Sequence, residues 1–185
     1  MIRRATNQTK RRRLFSIGTD ASGAALIEFA MVVPVLITLY LGGFQLMDAV
    51  SVYRKVTTTT RSIADLSTQN TLVTDASLQT ILDASAQIMA PYKPTNGFYR
   101  VSLINVASNG TSTVLWSKSK DGTEQLTPGS AYSLPASIKQ ADLDLVVCDV
   151  TYTYKPIAFF GLLGNIPFSD RIYMLPRKSP TITKQ

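Results

Sequence analysis

Apolar residues fill the chain from Ala24 to Met47, and Glu28 is the only charged residue in this run. As an α-helix these 24 residues are about 36 Å long, which exceeds the ~30 Å hydrocarbon core of a bilayer. A secretory signal peptide has an apolar core of only about 7–15 residues, so cleavage at the small-x-small site Ala49-Val50-Ser51 is the weaker interpretation. The run therefore predicts a retained transmembrane helix.

Polar residues return from Asp48, while apolar residues continue at three- and four-residue intervals. This spacing predicts that the transmembrane helix continues as an amphipathic helix. Its expected apolar positions are Ala49, Val50, Tyr53, Val56, Ile63 and Ala64. Pro34 lies inside the transmembrane run and predicts a helix kink, because proline removes one backbone hydrogen bond. The threonines 57–60 work against the helix, since β-branched residues have lower helix propensity.

The rest of the chain changes from helical to strand patterns. A second helix is predicted after a cap at Thr74 or Asp75, with Leu78, Ile81, Leu82, Ile88 and Met89 as its apolar side chains. Strands are predicted at 98–107, 111–117, 143–154 and 171–175, with Asn109-Gly110 as a hairpin turn. The polar segment 176–185 is expected to be loose. These elements predict an α+β fold, in which the long N-terminal helix packs on a small antiparallel β-sheet.

Composition excludes several kinds of catalysis. The chain has no histidine and one cysteine, Cys148, so Ser-His-Asp chemistry, Cys-His chemistry and an internal disulfide are all excluded. A weak alternative is an anchored hydrolase that uses Asp142, Asp144 and Asp149, of which the first two share one strand face by alternation. Solvated charges at a strand end are the favoured interpretation. We expect no catalytic residue, no metal, no cofactor and no enzymatic activity.

Most of the net charge of +7 lies before the apolar run, where six arginines and lysines accompany one aspartate in residues 1–23. Arg11, Arg12 and Arg13 directly precede the span and are a topology signal that keeps the N-terminus in the cytoplasm. No aromatic platform or nucleic-acid-binding pattern accompanies these arginines, so no nucleic-acid partner is expected. The apolar run 157–163 is too short to span a bilayer and fits either a core segment or a membrane-facing or partner-facing patch.

The six residues Gly23-Ala24-Ala25-Leu26-Ile27-Glu28 resemble the processing site of type IV pilins and pseudopilins. More closely, the chain resembles the TadE-like family of the tight-adherence (Tad) pilus systems. This resemblance is densest between Gly23 and Ala64, where the similar residues are Gly23, Ala25, Glu28, Phe29, Ala30, Pro34, Gly43, Tyr53, Arg61 and Ala64. The segment 150–156 and the pair Pro176-Arg177 are similar in a less specific way.

The resemblance implies a minor pseudopilin that acts in pilus assembly or initiation. A prepilin peptidase would cut between Gly23 and Ala24, and Glu28 would then be the fifth residue of the mature chain. The implied parts are a cytoplasmic leader (1–23), a transmembrane helix (24–47) and a periplasmic domain (48–185) of a bacterial inner-membrane protein. Implied partners are the peptidase, other pseudopilins, the major pilin and the inner-membrane assembly platform. The alternative is an uncleaved bitopic scaffold or receptor.

Overall fold

The computed structural model of the chain describes residues 21–156 and 164–185. The leader arginines Arg11–Arg13 and the apolar run 157–163 lie outside the described residues. The chain divides into two compact units, Met1–Phe44 and Gln45–Gln185. The helices and strands in chain order are α1 (Ala21–Thr68), β1 (Leu72–Val73), α2 (Asp75–Ala86), β2 (Gly97–Val106), β3 (Ser112–Ser119), β4 (Leu143–Tyr154), β5 (Ile166–Met174) and β6 (Thr183–Lys184). The predicted α+β class is confirmed.

Helix α1 continues without interruption through the threonines 57–60. The hydroxyl of Thr60 donates to the backbone oxygen of Val56 at 2.9 Å, and the hydroxyl of Thr58 does the same to Arg54 at 2.9 Å. These bonds to carbonyls one turn earlier satisfy the hydroxyls of Thr58 and Thr60, whereas the buried hydroxyls of Thr57 and Thr59 have no hydrogen-bond partner in the described part of the chain. Threonine's low helix propensity is therefore overridden by packing, since Thr59 and Thr60 are both buried.

The buried apolar stripe of α1 differs from the predicted one at three positions. Val52, which was not predicted, is fully buried like Val56 and Ile63, whereas Val50 and Tyr53 are about half exposed. At about 100° per residue, a stripe that contains Val52 leaves position 53 at its side and position 50 nearly opposite. The prediction of an amphipathic continuation was right, but its assignment of Val50 and Tyr53 to the buried face was wrong.

Helix α2 begins with a capping box. Thr74 Oγ1 accepts a hydrogen bond from the backbone N–H of Ser77 at 3.1 Å, and Ser77 Oγ accepts one from the N–H of Thr74 at 2.8 Å. These reciprocal bonds satisfy N–H groups that lack a partner inside the helix. Of the two predicted caps, Thr74 is the one the structure uses. The helix buries Leu78 and Leu82 and is followed by a 3₁₀ turn at Gln87–Met89.

The main sheet has the strand order β3-β2-β4-β5, with every neighbouring pair antiparallel. Strands β2 and β3 form the predicted hairpin, in which the N–H of Ala107 donates to the oxygen of Thr111 at 2.9 Å. Gly110 has a φ of 78°, a left-handed conformation that glycine adopts without steric cost. Strand β5 begins earlier than predicted, at Ile166. Its second residue, Pro167, is tolerated because β5 lies at the edge of this sheet.

The two faces of the sheet bury two separate hydrophobic clusters. The larger cluster joins α1 and α2 to the face that bears Leu103, Trp116 and Cys148. The smaller cluster covers part of the opposite face and contains Ile104 and Val114. A β-bulge between Leu103 and Ile104 leaves Leu115 of β3 without a partner, and this extra residue turns Trp116 and Val114 to opposite faces. The single cysteine is buried as predicted, and burial raises the pKa of its thiol.

The segment 176–185 is not loose, contrary to the prediction. Its strand β6 pairs in parallel with β1, and Ile182 is 1% exposed within the larger cluster. Trp116 Nε1 donates to the backbone oxygen of Ile182 at 2.8 Å. Arg177 binds Asp65 of α1 at 2.8 Å and donates its backbone N–H to the oxygen of Thr68 at 2.9 Å. One apolar side chain and several backbone bonds therefore dock this polar segment.

We predict that Ile182→Ala destabilises the domain by about 2–5 kcal/mol, because it opens a cavity in a fully packed core. Thr183→Ala is the matched control, since Thr183 is exposed on the same strand, and we expect a change within about 0.5 kcal/mol. Urea unfolding of the full chain in mild detergent, followed by far-UV circular dichroism, measures both free energies. Equal stabilities of the two variants would contradict the docked position of the segment.

Candidate functional site in the N-terminal helix

The residues predicted to act in processing lie at the start of α1, where every described side chain is exposed. Gly23, Ala24 and Glu28 are all exposed. A Cβ atom added at Gly23 would meet nothing within 4 Å. A glycine inside a helix is less stable than alanine by about 0.5–1 kcal/mol, so the fold itself gives no reason for a glycine here.

Glu28 is a carboxylate surrounded by exposed apolar side chains. Its neighbours Ile27 and Phe29 are 61% and 67% exposed, and Met31 is 71% exposed. No ion pair or hydrogen bond to the Glu28 side chain occurs within residues 21–156 and 164–185. A charge among lipid-facing apolar groups is costly unless a partner or a nearby headgroup compensates it. Within the described part of its own chain, this carboxylate therefore has no ion-pair or hydrogen-bond partner.

The apolar part of α1 is long enough to cross a bilayer. The described helix from Gly23 to Thr68 is the one element in residues 21–156 and 164–185 with the length and composition of a membrane span. Pro34 lies within it without ending the helix, and the hydroxyl of Thr38 donates to the oxygen of Pro34 at 2.8 Å. Threonine back-bonding of this kind bends helices, and the predicted kink at Pro34 stays a prediction.

A hydrogen-bonded cluster lies where the apolar run ends, and the sequence alone did not reveal it. Asp48 of α1 accepts a hydrogen bond from the hydroxyl of Tyr154 in β4 at 2.7 Å and another from the hydroxyl of Tyr92. We name these three residues the Asp48 cluster. Burial, and then the bond to Asp48, raises the pKa of Tyr92 to about 12, and the same causes raise the pKa of Tyr154. Both phenols are therefore neutral donors at physiological pH.

Aromatic rings extend the Asp48 cluster across the sheet. The ring of Phe168 lies 6.4 Å from that of Tyr154 and 6.0 Å from that of Tyr53, measured between centroids. Tyr152 and Tyr92 meet edge to face at 6.5 Å. Aromatic contacts at these distances stabilise the fold by more than the burial of their apolar area alone. The first polar residue after the span is thus bound to three parts of the domain: the segment after α2, β4 and, through the rings, β5.

The three aspartates considered for hydrolysis do not form a catalytic pair. Asp144 accepts a hydrogen bond from Asn105 Nδ2 at 2.7 Å, and Asp149 is ion-paired with two arginines on the opposite face of the sheet. Asp142 precedes β4 and has a φ of 58°, so the prediction that it shares a strand face with Asp144 was wrong. Hydrogen bonds and ion pairs account for the two buried carboxylates.

Residues 23–65 match the family model described as TadE-like protein. This match confirms the resemblance over the segment that contains Gly23, Glu28 and Asp48. It supports a Tad pilus-associated protein, and the single apolar helix is consistent with a single-pass membrane protein. The TadE-like segment covers less than a quarter of the chain, and the domain that follows it has the fold described above. No curated protein and no solved structure matches the chain.

We predict that Asp48→Ala lowers the free energy of unfolding of the domain by about 1–3 kcal/mol, because two partly buried hydroxyls lose their acceptor. Asp65→Ala is the control. Asp65 is also an acid on α1, but its side chain is 40% exposed and pairs with Arg177 at the surface. Such a pair contributes less than about 1 kcal/mol. Denaturant unfolding of the full chain measures the free energy of unfolding of both variants. A larger loss of this free energy in Asp65→Ala than in Asp48→Ala would contradict the prediction.

Proposed function

We propose that this chain is a minor pseudopilin of a Tad-type pilus, made as a precursor and cleaved by a prepilin peptidase between Gly23 and Ala24. The observation that carries the proposal is the TadE-like match, which begins at Gly23 itself. Glu28 is the fifth residue after this glycine, at the start of an exposed apolar helix. In this proposal the chain is the substrate of an enzyme and is not itself an enzyme.

The exposure of Gly23 supports recognition by a peptidase. The helix does not need a glycine at this position, because there is open space for a side chain. A residue that weakens a helix and packs against nothing is best explained by a requirement outside the fold. A peptidase that bends or binds the backbone closely supplies that requirement, since only glycine lets another group approach without a Cβ atom.

Cleavage would create the partner that Glu28 lacks within the described residues. Hydrolysis after Gly23 leaves an ammonium group at Ala24, one helical turn from Glu28. Paired with the Glu28 of a neighbouring subunit, this ammonium would neutralise a charge that is costly in an apolar surrounding. The pair would also fix the register between adjacent helices, as buried polar residues do in helical assemblies. Assembly and processing are thereby coupled.

The arrangement in the membrane follows from the sequence. The arginines before the span hold the leader in the cytoplasm, and residues after Asp48 form the periplasmic domain of an inner-membrane protein. Partners in this proposal are the peptidase, other pseudopilins, the major pilin and the assembly platform. An aromatic residue follows the cut in most major pilins, whereas here it is Ala24, and the chain is longer than a typical major subunit of these pili. Both features favour a minor subunit that acts in assembly or initiation.

We predict that the membrane-bound protein begins at Ala24, and that Gly23→Leu leaves the precursor intact. Replacing Gly42 by leucine is the control, because Gly42 lies in the same helix and also has open space around it. N-terminal sequencing and intact mass of the purified protein identify the first residue. A mature product from Gly23→Leu would disprove the site. A native N-terminus at Met1 would favour the uncleaved scaffold, and one at Val52 would indicate signal-peptidase cleavage.

We predict that Glu28→Gln is cleaved, inserted and folded normally but enters the pilus machinery at least about tenfold less well, because the charge pair is lost. Asp142→Asn, at an exposed acid just before β4, should leave incorporation unchanged. Sheared pilus fractions and membrane fractions, probed for the chain, measure incorporation. Incorporation of Glu28→Gln at the native level would exclude the pairing and favour a carboxylate that reaches the lipid headgroups.

A further inference from the structure

Two rows of mostly polar residues cross the sheet on the face opposite α1. In one row Arg100 of β2, Asp149 of β4 and Arg171 of β5 are direct neighbours in register. In the next row Phe98, Thr151 and Ser169 align in the same way. Since directly opposite residues on antiparallel strands share a face, all six side chains lie together. They form the floor of an open cleft of about 400 Å³, which we name the polar cleft.

The buried half of this floor is rigid. Arg100 has a side-chain exposure of 12%, and its Nε and Nη2 donate to Asp149 Oδ2 at 3.2 and 2.9 Å. Its Nη1 donates to the backbone oxygen of Glu124 at 2.7 Å, and its guanidinium lies 5.3 Å from the centroid of the Phe98 ring. The nitrogens of Arg100 are thus engaged within the protein. This arginine fixes Asp149, which in turn positions the second arginine.

Arg171 is the group that can reach a ligand. Its side chain is 48% exposed, and its Nε donates to Asp149 Oδ1. An arginine has five N–H donors, so four remain on the two terminal nitrogens, and Tyr173 lies close enough to accept one of them. A guanidinium held by its Nε presents the planar edge that binds carboxylates with two parallel hydrogen bonds. Thr151 and Ser169, which carry hydroxyls, lie in the next row on the same face.

The charges of the polar cleft select the ligand. The floor holds two guanidinium groups and one carboxylate, which leaves one positive charge in excess. The exposed acid Glu124 also lines the cleft. A ligand that complements this pattern places one carboxylate on Arg171 and a cationic group near Glu124. A polyanion is disfavoured, because its further charges would meet Glu124.

The position of the cleft favours a polypeptide as the ligand. It lies on β5, an edge strand of the four-stranded sheet, and no strand among the described residues pairs with the outer side of β5. An edge strand offers free backbone groups to an extended segment. We propose that the polar cleft binds a partner polypeptide through a carboxylate that stands next to a basic side chain. Arg171 would hold the carboxylate, and Glu124 would face the basic group.

The probe for this site is N-acetyl-Ala-Lys with a free α-carboxylate, added to the ¹⁵N-labelled full chain in detergent micelles. We expect a dissociation constant on the order of 1 mM, with backbone NMR shifts centred on 149–151 and 169–171. The same peptide as its C-terminal amide, which lacks the carboxylate, should bind at least about tenfold more weakly. N-acetyl-Ala-Ala, which lacks the basic group, should bind several-fold more weakly. Equal binding of the amide would overturn the proposal.

Two charge-removing variants distinguish a specific contact at Arg171 from a general attraction by positive charge. Arg171→Gln should lower the affinity at least about tenfold, whereas Lys178→Gln removes the same charge at an exposed position and should leave it unchanged. Equal losses in the two variants would show long-range attraction only and would overturn the proposal. If Arg171→Gln does not fold, Arg171→Lys decides, because it keeps the charge and loses the planar edge. Native affinity in that variant would also overturn it.

Discussion

The burial of one stripe of α1 against the sheet is the interaction on which the domain depends. Val52, Val56 and Ile63 lose all their exposure in a single hydrophobic cluster with α2 and four strands, β1 to β4. Most of the apolar side chains of the same helix between Leu26 and Met47 are exposed. One continuous helix therefore meets two different surroundings, and its hydrogen-bonded backbone satisfies both, because a helix needs no partner strand to pair its polar groups.

The change between these surroundings occurs at Asp48. A carboxylate at this position ends the apolar run, and its two oxygens bind hydroxyls from Tyr92 and Tyr154. Phenols are suited to this role, since a ring packs against apolar groups while its hydroxyl reaches a polar one. The Asp48 cluster thereby joins the helix to the sheet at the level where the helix ceases to be wholly apolar. The TadE-like segment includes Asp48 but neither tyrosine.

Local signals in the sequence were sufficient to predict helix α1, the Thr74 cap and the hairpin at Asn109-Gly110. Features that depend on distant residues were missed. The segment 176–185 was predicted to be loose because most of its residues are polar and Ile182 is its one aliphatic side chain. No residue near it in sequence indicates that it binds Trp116. The bulge at Leu115 has no glycine to mark it. In the candidate site, the motif predicts roles for Gly23 and Glu28, whereas no local motif marks the Asp48 cluster, which joins residues 44 and 106 positions apart.

The docking of Ile182 has a consequence for how the protein is made. Its cluster also contains Val52, which lies 130 positions earlier in the chain. Contacts of such long sequence separation form late, because the intervening chain must first be ordered. The core is incomplete until residue 182 has been synthesised and has reached the sheet. A chain that has been made only as far as β5 therefore still lacks one side chain of this core.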